Sequence, residues 1–333
     1  MPDDVRARLV VEETLANTMR AVVLEEFGGP DKLKLRTVAM PRLDAGEVLI
    51  QTHTAGVGVW DLHMRGGWWP SGRPRFPLIL GADGSGTIAA VGARVRRFSP
   101  GDLVYSYVWA NPKGGFYAEY VAAPADKVAH VPARLDLKHA GAIPVTGLTA
   151  LQGIDDVLRV KRGESVIVHG ASGVVGTLAV QFAKRRGARV LGVATGKDGA
   201  ALVRRLGADA AIDGRRDDIA EAARRFAPHG IDALLGLSGG EALAICVAAL
   251  RPGGRFAYPN GVEPLPRKRR GIETISYDAA AGPREFDRLG RAVEETRLKV
   301  MIAAEFKLAQ AAKAHERLAA GHMLGKVVLA ARR

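Results

Sequence analysis

Three glycines at a constant spacing, Gly170, Gly173 and Gly176, follow directly on a short β-branched run, Ser165–His169. That run has the composition of a strand buried on both faces of a parallel sheet. A helical pattern continues from Val174 to Arg186, with Val175, Leu178, Ala179, Phe182 and Ala183 on one face. Strand, glycine turn and helix in this order make a phosphate-binding turn. Glycine lets the chain reverse sharply and lets bare main chain approach a pyrophosphate, while the N–H groups of the helix start face the anion. The candidate binding residues are therefore Gly170, Ala171, Ser172, Gly173, Val174, Val175 and Gly176. Ala171 holds the first glycine place of the strict Gly-x-Gly-x-x-Gly form, so the motif rests on its strand–helix setting. The competing reading is a glycine-rich turn that binds nothing.

A chain of 333 residues is longer than one core usually serves, which points to two domains. With 47% hydrophobic and 25% charged residues it has the balance of a soluble globular protein. No apolar run approaches the roughly 20 residues of a membrane span. The start mixes Asp3, Asp4, Glu12 and Glu13 with short apolar pieces and lacks the pattern of a secretory signal, so a cytoplasmic location is expected. Residues 1–18 read as an extension before a fold that begins at Met19 or Arg20. The sole cysteine, Cys246, lies in the apolar run Ala242–Leu250 and is expected to be a buried, inert thiol. One cysteine also excludes a four-thiolate zinc site. The net charge of +13 favours anionic ligands. The densest basic run, Arg267–Arg270, has no aromatic residues interleaved for base stacking, so a solvated loop is expected there and nucleic acid is not the expected partner.

The elements that must position the turn fall in two styles. Arg20–Glu25, Leu33–Val38, Glu47–Val57, Gly81–Val91, Leu103–Tyr107, Gly114–Val121 and Lys127–Val131 read as short strands, with a helical turn at Asp61–Arg65. Many short strands and frequent turns suggest a compact, partly barrel-like β domain. After Pro132 the style changes. Leu137–Ile154 is mostly helical, and strands then alternate with helices: strands at Ser165–His169, Arg189–Val193, Ala210–Ile212, Ile231–Leu235 and Gly254–Tyr258, helices near Val174–Arg186, Asp198–Leu206, Asp217–Phe226 and Glu241–Leu250. This alternation is that of a doubly wound parallel sheet. Helices at Phe286–Arg297 and Leu308–Ala320 and a strand at Lys326–Ala330 close the chain.

A β domain, a dinucleotide fold and a returning tail resemble the medium-chain dehydrogenase/reductase superfamily, and in it the zinc-independent NADPH:quinone oxidoreductases, or ζ-crystallin-like proteins. The landmarks are Arg20-Ala-Val-Val-Leu-Glu-Glu-Phe-Gly-Gly-Pro, Gly81-Ala-Asp-Gly-Ser-Gly, Pro100-Gly-Asp, Pro144-Val-Thr-Gly-Leu-Thr-Ala, Gln181 and Lys184 after the phosphate turn, Arg251-Pro-Gly-Gly-Arg, and Ala314-His315 leading to Gly325-Lys326. The resemblance runs from about Met19 to the end. It implies an α/β fold in which a GroES-like β domain, residues 19–137 and 279–333, joins a Rossmann domain, residues 138–278, with a cleft between them. It also implies a homodimer, joined at sheet edges near Arg255–Tyr258.

Zinc-dependent relatives place a cysteine after the long strand, a histidine in the Gly81 loop and a third ligand near Pro144. Here no cysteine stands at those places and Ala82 replaces the histidine, so no metal is expected. Without a Lewis acid the acceptor must be easily reduced, as quinones and conjugated enones are. Cofactor choice is read after the second sheet strand, where NAD-binding folds usually carry an acidic residue on the ribose 2′-hydroxyl. Here Ala194 is followed by Thr195, Gly196 and Lys197, so no carboxylate stands at that place and Lys197 can pair with a 2′-phosphate; NADPH is expected. The family's tyrosine after the third strand is replaced by Asp213-Gly214-Arg215, with Arg215 as its substitute. Leu237, Ser238 and Asn260 follow the fourth and fifth strands, where ligands sit in open α/β sheets. By resemblance, Thr146 meets the nicotinamide side of the cofactor and Lys326 lies near it. On the acceptor side the family's asparagine becomes Gly58, and its two tyrosines are matched by His63 and Trp69. Gly58 would enlarge the site, His63 would donate a proton or hydrogen bond, Trp69 would form a flat wall, and Asp61 would order the loop. An enoyl-thioester reductase of the same fold, and a non-catalytic nucleotide- or RNA-binding ζ-crystallin-like protein, are the alternatives.

Overall fold

The computed structural model describes residues 17–70 and 72–331; all but the last two residues of the expected extension, 1–18, lie outside them. The chain divides into two compact units. The first runs to Pro144 and takes back Ala304–Gly321 and the chain from Val327; the second comprises Val145–Ala303 and His322–Lys326.

In the first unit β1 (Thr18–Leu24) and β2 (Leu33–Ala39) form an antiparallel hairpin. β3 (Glu47–Val57) is the long strand, and β4 (Leu78–Ile79) adds to β1. β5 (Asp83–Val91), β6 (Leu103–Tyr107), β7 (Tyr120–Pro124) and β8 (Val128–His130) complete its N-terminal part, with α1 (Val59–Arg65) and α2 (Leu137–Ala140). The expected strand over Gly114–Val121 begins only at Tyr120. The preceding residues pass from one partner segment to another: Gly115, Phe116 and Tyr117 N–H donate to Ile79 O, Gly81 O and Leu80 O, and Glu119 N–H then donates to Arg20 O. A segment threaded between neighbours in this way builds no ladder of its own.

In the second unit α3 (Pro144–Gln152) leads into β9 (Ser165–His169). Then follow α4 (Val174–Arg185), β10 (Arg189–Ala194), α5 (Gly196–Arg205), β11 (Ala210–Asp213), α6 (Ile219–Phe226), β12 (Ile231–Gly236), α7 (Glu241–Ala248), β13 (Leu250–Pro259), β14 (Glu273–Tyr277) and α8 (Pro283–Thr296). Among the described residues the strands order as β11-β10-β9-β12-β13-β14, all parallel. Ile167, Leu191, Leu234, Leu243 and Phe256 are fully or almost fully buried in its core. The chain winds outward in both directions from β9, so β9 and β12 flank the switch point where such sheets bind ligands.

β14 was not anticipated: Glu273-Thr-Ile-Ser-Tyr277 is mostly polar and lies on an edge, unlike the apolar runs of the interior strands. Its presence corrects the expected dimer edge. Arg255–Tyr258 pairs with both β12 and β14, so β13 is an interior strand. Arg255 is further engaged by Glu164 at 2.6 Å. The return to the first unit comes at Ala304 rather than near 279. α8 packs on α4 of the parallel-sheet unit, and Arg288 pairs with Asp156 there through two bonds of 2.9 and 2.7 Å. β15 (Ile302–Lys307), α9 (Ala311–Ala319) and β16 (Lys326–Ala330) close the fold, β16 pairing antiparallel with β3.

Candidate active site

The glycine turn expected to bind phosphate is built by close main-chain packing. Gly170 takes a left-handed φ of +77°, and the N–H groups of Gly170 and Ala171 both donate to Val193 O at 2.9 and 3.0 Å, which ties the turn to β10. Gly173 N–H donates back to Gly170 O at 3.1 Å. A Cβ on Gly176 would lie 2.3 Å from Gly170 O, so only glycine allows α4 to start this close to the turn. Gly173 caps α4 without any side-chain cap bond. The N–H groups of Val174, Val175 and Gly176 then have no carbonyl one helical turn back and point out of the helix start. These three residues are half-buried or buried, so the donors sit in a sheltered, positively polarised cradle that fits a pyrophosphate.

Below the turn, His169 is buried, and burial lowers its pKa to about 4; it is a neutral imidazole at the end of β9. Leu237 N–H donates to His169 O, and Leu237 packs against Gly170, closing the β9–β12 crevice from the other side. Ser238 Oγ lies 3.5 Å from His169 Nδ1. Ser172 is buried, and its Oγ accepts from Thr195 N–H at 3.4 Å, linking the phosphate turn to the loop after β10. In the first turn of α5 Lys197 is exposed, as is Arg215 after β11. Asp213, two residues before Arg215, is buried. Its Oδ1 accepts from Gly196 N–H at 2.9 Å and Arg215 N–H at 3.1 Å, and these bonds hold its carboxyl below the usual range.

Three other expected residues are placed differently from a free binding group. Asn260 is exposed, and its amide donates to Asp278 at 2.7 Å. Thr146 lies inside the first turn of α3, past the cap position, and is fully buried. Lys326 opens β16 but is 1% exposed, a buried lysine rather than a solvated one.

The acceptor-side residues lie in the first unit, which contains a cavity of about 500 Å³. Its walls include Asp61, Met64, Trp69, Leu80, Ala82 and Val108, and Arg73 and Arg75 also line it. Asp61 is fully buried and orders two loops: Oδ2 accepts from Gly58 N–H at 2.8 Å and Oδ1 from Gly81 N–H at 3.1 Å. Tyr117 donates to Asp61 from behind, and its Oη shares a 3.0 Å hydrogen bond with His315 Nε2. Tyr117 is fully buried, and burial first, then the nearby Asp61 charge, push its pKa well above the usual value.

Two expectations need correction here. Gly58 does not enlarge the site, because a Cβ there would stand 2.2 Å from the Trp60 indole; the ring already fills that space. His63 does not line the cavity. Asp61 and Met64 share the inward face of α1 at i and i+3, and His63, two residues from Asp61, turns outward and is exposed. Among the described residues no group of three or more His, Cys, Asp or Glu side chains is placed to hold a metal ion. Nor is any helix there long and apolar enough to cross a membrane.

Comparison with known proteins follows this division. A family model for the alcohol dehydrogenase GroES-like domain matches residues 44–133, and one described as zinc-binding dehydrogenase matches residues 206–329. Human quinone oxidoreductase is 32% identical over 324 residues, covering 93% of this chain and 97% of that protein. A solved NAD-dependent alcohol dehydrogenase superposes with a TM-score of 0.87 at 32% identity, over 94% of this chain and all of the other. A mycobacterial protein solved in complex with NADPH superposes with a TM-score of 0.83 at 29% identity, over 94% of this chain and 99% of that one. With the glycine turn, the sheet order and this extent of likeness together, the chain belongs to the medium-chain dehydrogenase/reductase superfamily as an oxidoreductase of the quinone oxidoreductase family.

Proposed function

We propose that the protein is a zinc-free reductase that uses NADPH to reduce a quinone or conjugated enone. The observation that carries the reading is the cavity of about 500 Å³ lined by Trp69 and Ala82, with an alanine where a zinc-dependent relative has a ligand. When bound, the reduced nicotinamide supplies a hydride, and an acceptor whose carbonyl already polarises the receiving carbon needs no metal to take it. The main-chain donors of Val174, Val175 and Gly176 hold the pyrophosphate. Lys197 and Arg215 attract the 2′-phosphate, while Asp213 is occupied by backbone donors and repels it less. Thr146, Leu237, Ser238, Asn260 and Lys326 are the remaining cofactor-side residues of this reading. On the acceptor side Trp69 gives a flat wall for an aromatic ring, and Asp61 keeps the Gly58 and Gly81 loops in place. The acceptor oxygen takes its proton from solvent, since His63 lies outside the cavity lining.

A second reading, reduction of enoyl thioesters, is favoured by Arg73 and Arg75, exposed cations that line the same cavity and suit a phosphorylated carrier. RNA binding through Arg267–Arg270 is less supported: the Arg269 guanidinium donates to Val247 O, Ala248 O and Leu250 O, at 3.1, 2.7 and 2.9 Å, and so serves the end of α7. The experiment is NADPH oxidation by the purified chain against ortho- and para-quinones, enones and crotonyl-thioesters. Turnover of quinones or enones with kcat/KM for NADPH well above that for NADH is the expected result. Stoichiometric zinc by elemental analysis, or no change in reduced-nicotinamide fluorescence on mixing, overturns it.

A further inference from the structure

We infer that His322 sets the preference for a 2′-phosphate by holding Asp198 away from the ribose, a positioning role that rests on the NADPH reading above. Asp198 follows Lys197 in the first turn of α5, just beyond the end of β10, where NAD-binding folds carry the acidic residue that takes the ribose hydroxyls. Left free, this carboxylate would favour the 2′-hydroxyl and oppose a phosphate.

It is not free. Oδ2 accepts from His322 Nε2 at 2.9 Å, and Oδ1 accepts from Gly199 N–H at 2.9 Å, so both oxygens are engaged at the start of α5. Facing a carboxylate, Nε2 must carry the proton. The bond to His322 comes first among the causes that hold the Asp198 carboxyl below its usual range.

The backbone is shaped for this contact at both ends. His322 adopts φ +47°, and Gly196 adopts φ +79°. A Cβ on Gly196 would lie 3.0 Å from His322 Cε1 and 2.5 Å from Asp198 Oδ1, so the imidazole and the carboxylate both lie against the bare main chain of Gly196. Asp213, the other carboxylate bonded to this helix start, is bound to Gly196 N–H and Arg215 N–H. The exposed carboxylates Asp217 and Asp218 after β11 are engaged as well, accepting from Asp213 N–H and Glu221 N–H at 2.9 Å each, and the exposed cations of the same region are Lys197, Arg215 and Arg216.

The test is binding of 2′,5′-ADP and 5′-AMP to the full chain by titration calorimetry. The wild-type chain prefers 2′,5′-ADP. His322→Asn suits the left-handed backbone but is too short to reach Asp198, and it lowers that preference at least about threefold, within the range of a surface ion pair. Adding Asp198→Asn to His322→Asn removes the released charge and restores the preference. A wild-type chain that binds both nucleotides alike overturns the NADPH reading and this inference with it. A strong wild-type preference that His322→Asn leaves intact overturns the inference alone, as does a double variant that fails to recover, which would make His322 a direct phosphate ligand.

Discussion

At the scale of single residues the surroundings of Gly58 show an exchange of volume. The family resemblance sets an asparagine against Gly58, and here the Trp60 indole occupies the space that a side chain at this position would take. That ring is braced edge-on by Trp109 at 6.3 Å, which in turn meets Trp68 at 6.3 Å and Tyr107 at 6.4 Å. Restoring the asparagine therefore overpacks the site. Gly58→Asn is expected to cost about 1–3 kcal/mol in urea unfolding at pH 7. The same change in a Trp60→Leu background should cost clearly less, and equal losses in the two backgrounds would show that the indole is not the obstacle. Cys246 illustrates the opposite case, a residue whose chemistry is suppressed by its surroundings: burial raises the thiol pKa to about 12, leaving an inert core side chain.

Among the elements, α4 is held by side chains that serve packing rather than ligand binding. Gln181 clasps the main chain of Lys299 in both directions, Nε2 donating to Lys299 O and Oε1 accepting from Lys299 N–H, each at 2.9 Å. Lys184 donates to Asp209 at 2.7 Å and to Ala188 O at 3.0 Å, tying the helix end to the approach of β11. Both residues were landmarks of the family resemblance, and neither faces the phosphate turn's donors. Gln181→Ala leaves an amide N–H and a carbonyl without their partner and should cost about 1–3 kcal/mol of stability. The dissociation constant for NADPH should stay within about twofold of wild type, well under the tenfold step of ~1.4 kcal/mol. A loss of cofactor affinity with unchanged stability would reverse this assignment.

For the whole molecule, each unit buries one histidine that stays neutral. Burial brings His169 in the second unit to about 4 and, with the Arg65 charge as a lesser cause, His315 in the first to about 3. In the unfolded chain both titrate near 6.5. Between those values and about 6.5 the unfolded chain binds more protons than the folded one, so stability rises with pH. The contribution is complete above 6.5 and is lost as pH falls, at about 1.4 kcal/mol per pH unit for each histidine. Urea midpoints should therefore drop between pH 7 and pH 5. His315→Gln should flatten that dependence in the first unit, whatever it costs at neutral pH by removing the bond to Tyr117. Equal slopes for wild type and variant would mean that His315 is accessible to protons in the folded state.

How much of this was legible beforehand follows the range of the forces involved. β3, β6, β9 and β16 have the bounds read from the amino-acid order, because burial on a sheet is written in neighbouring side chains. The strand, glycine turn and helix were legible for the same reason: they lie within one continuous stretch. By itself the sequence thus determined the two-style α/β architecture and a nucleotide-binding oxidoreductase of known family. Tertiary structure alone decided that β14 covers β13, that α8 packs with the parallel sheet, that Arg269 caps a helix, and that Trp60 fills the space above Gly58. It also decided that His322 reaches Asp198 across 124 residues. Such contacts join groups distant along the chain, and no local periodicity records them, because their geometry exists only once loops have closed and distant side chains share one dielectric environment.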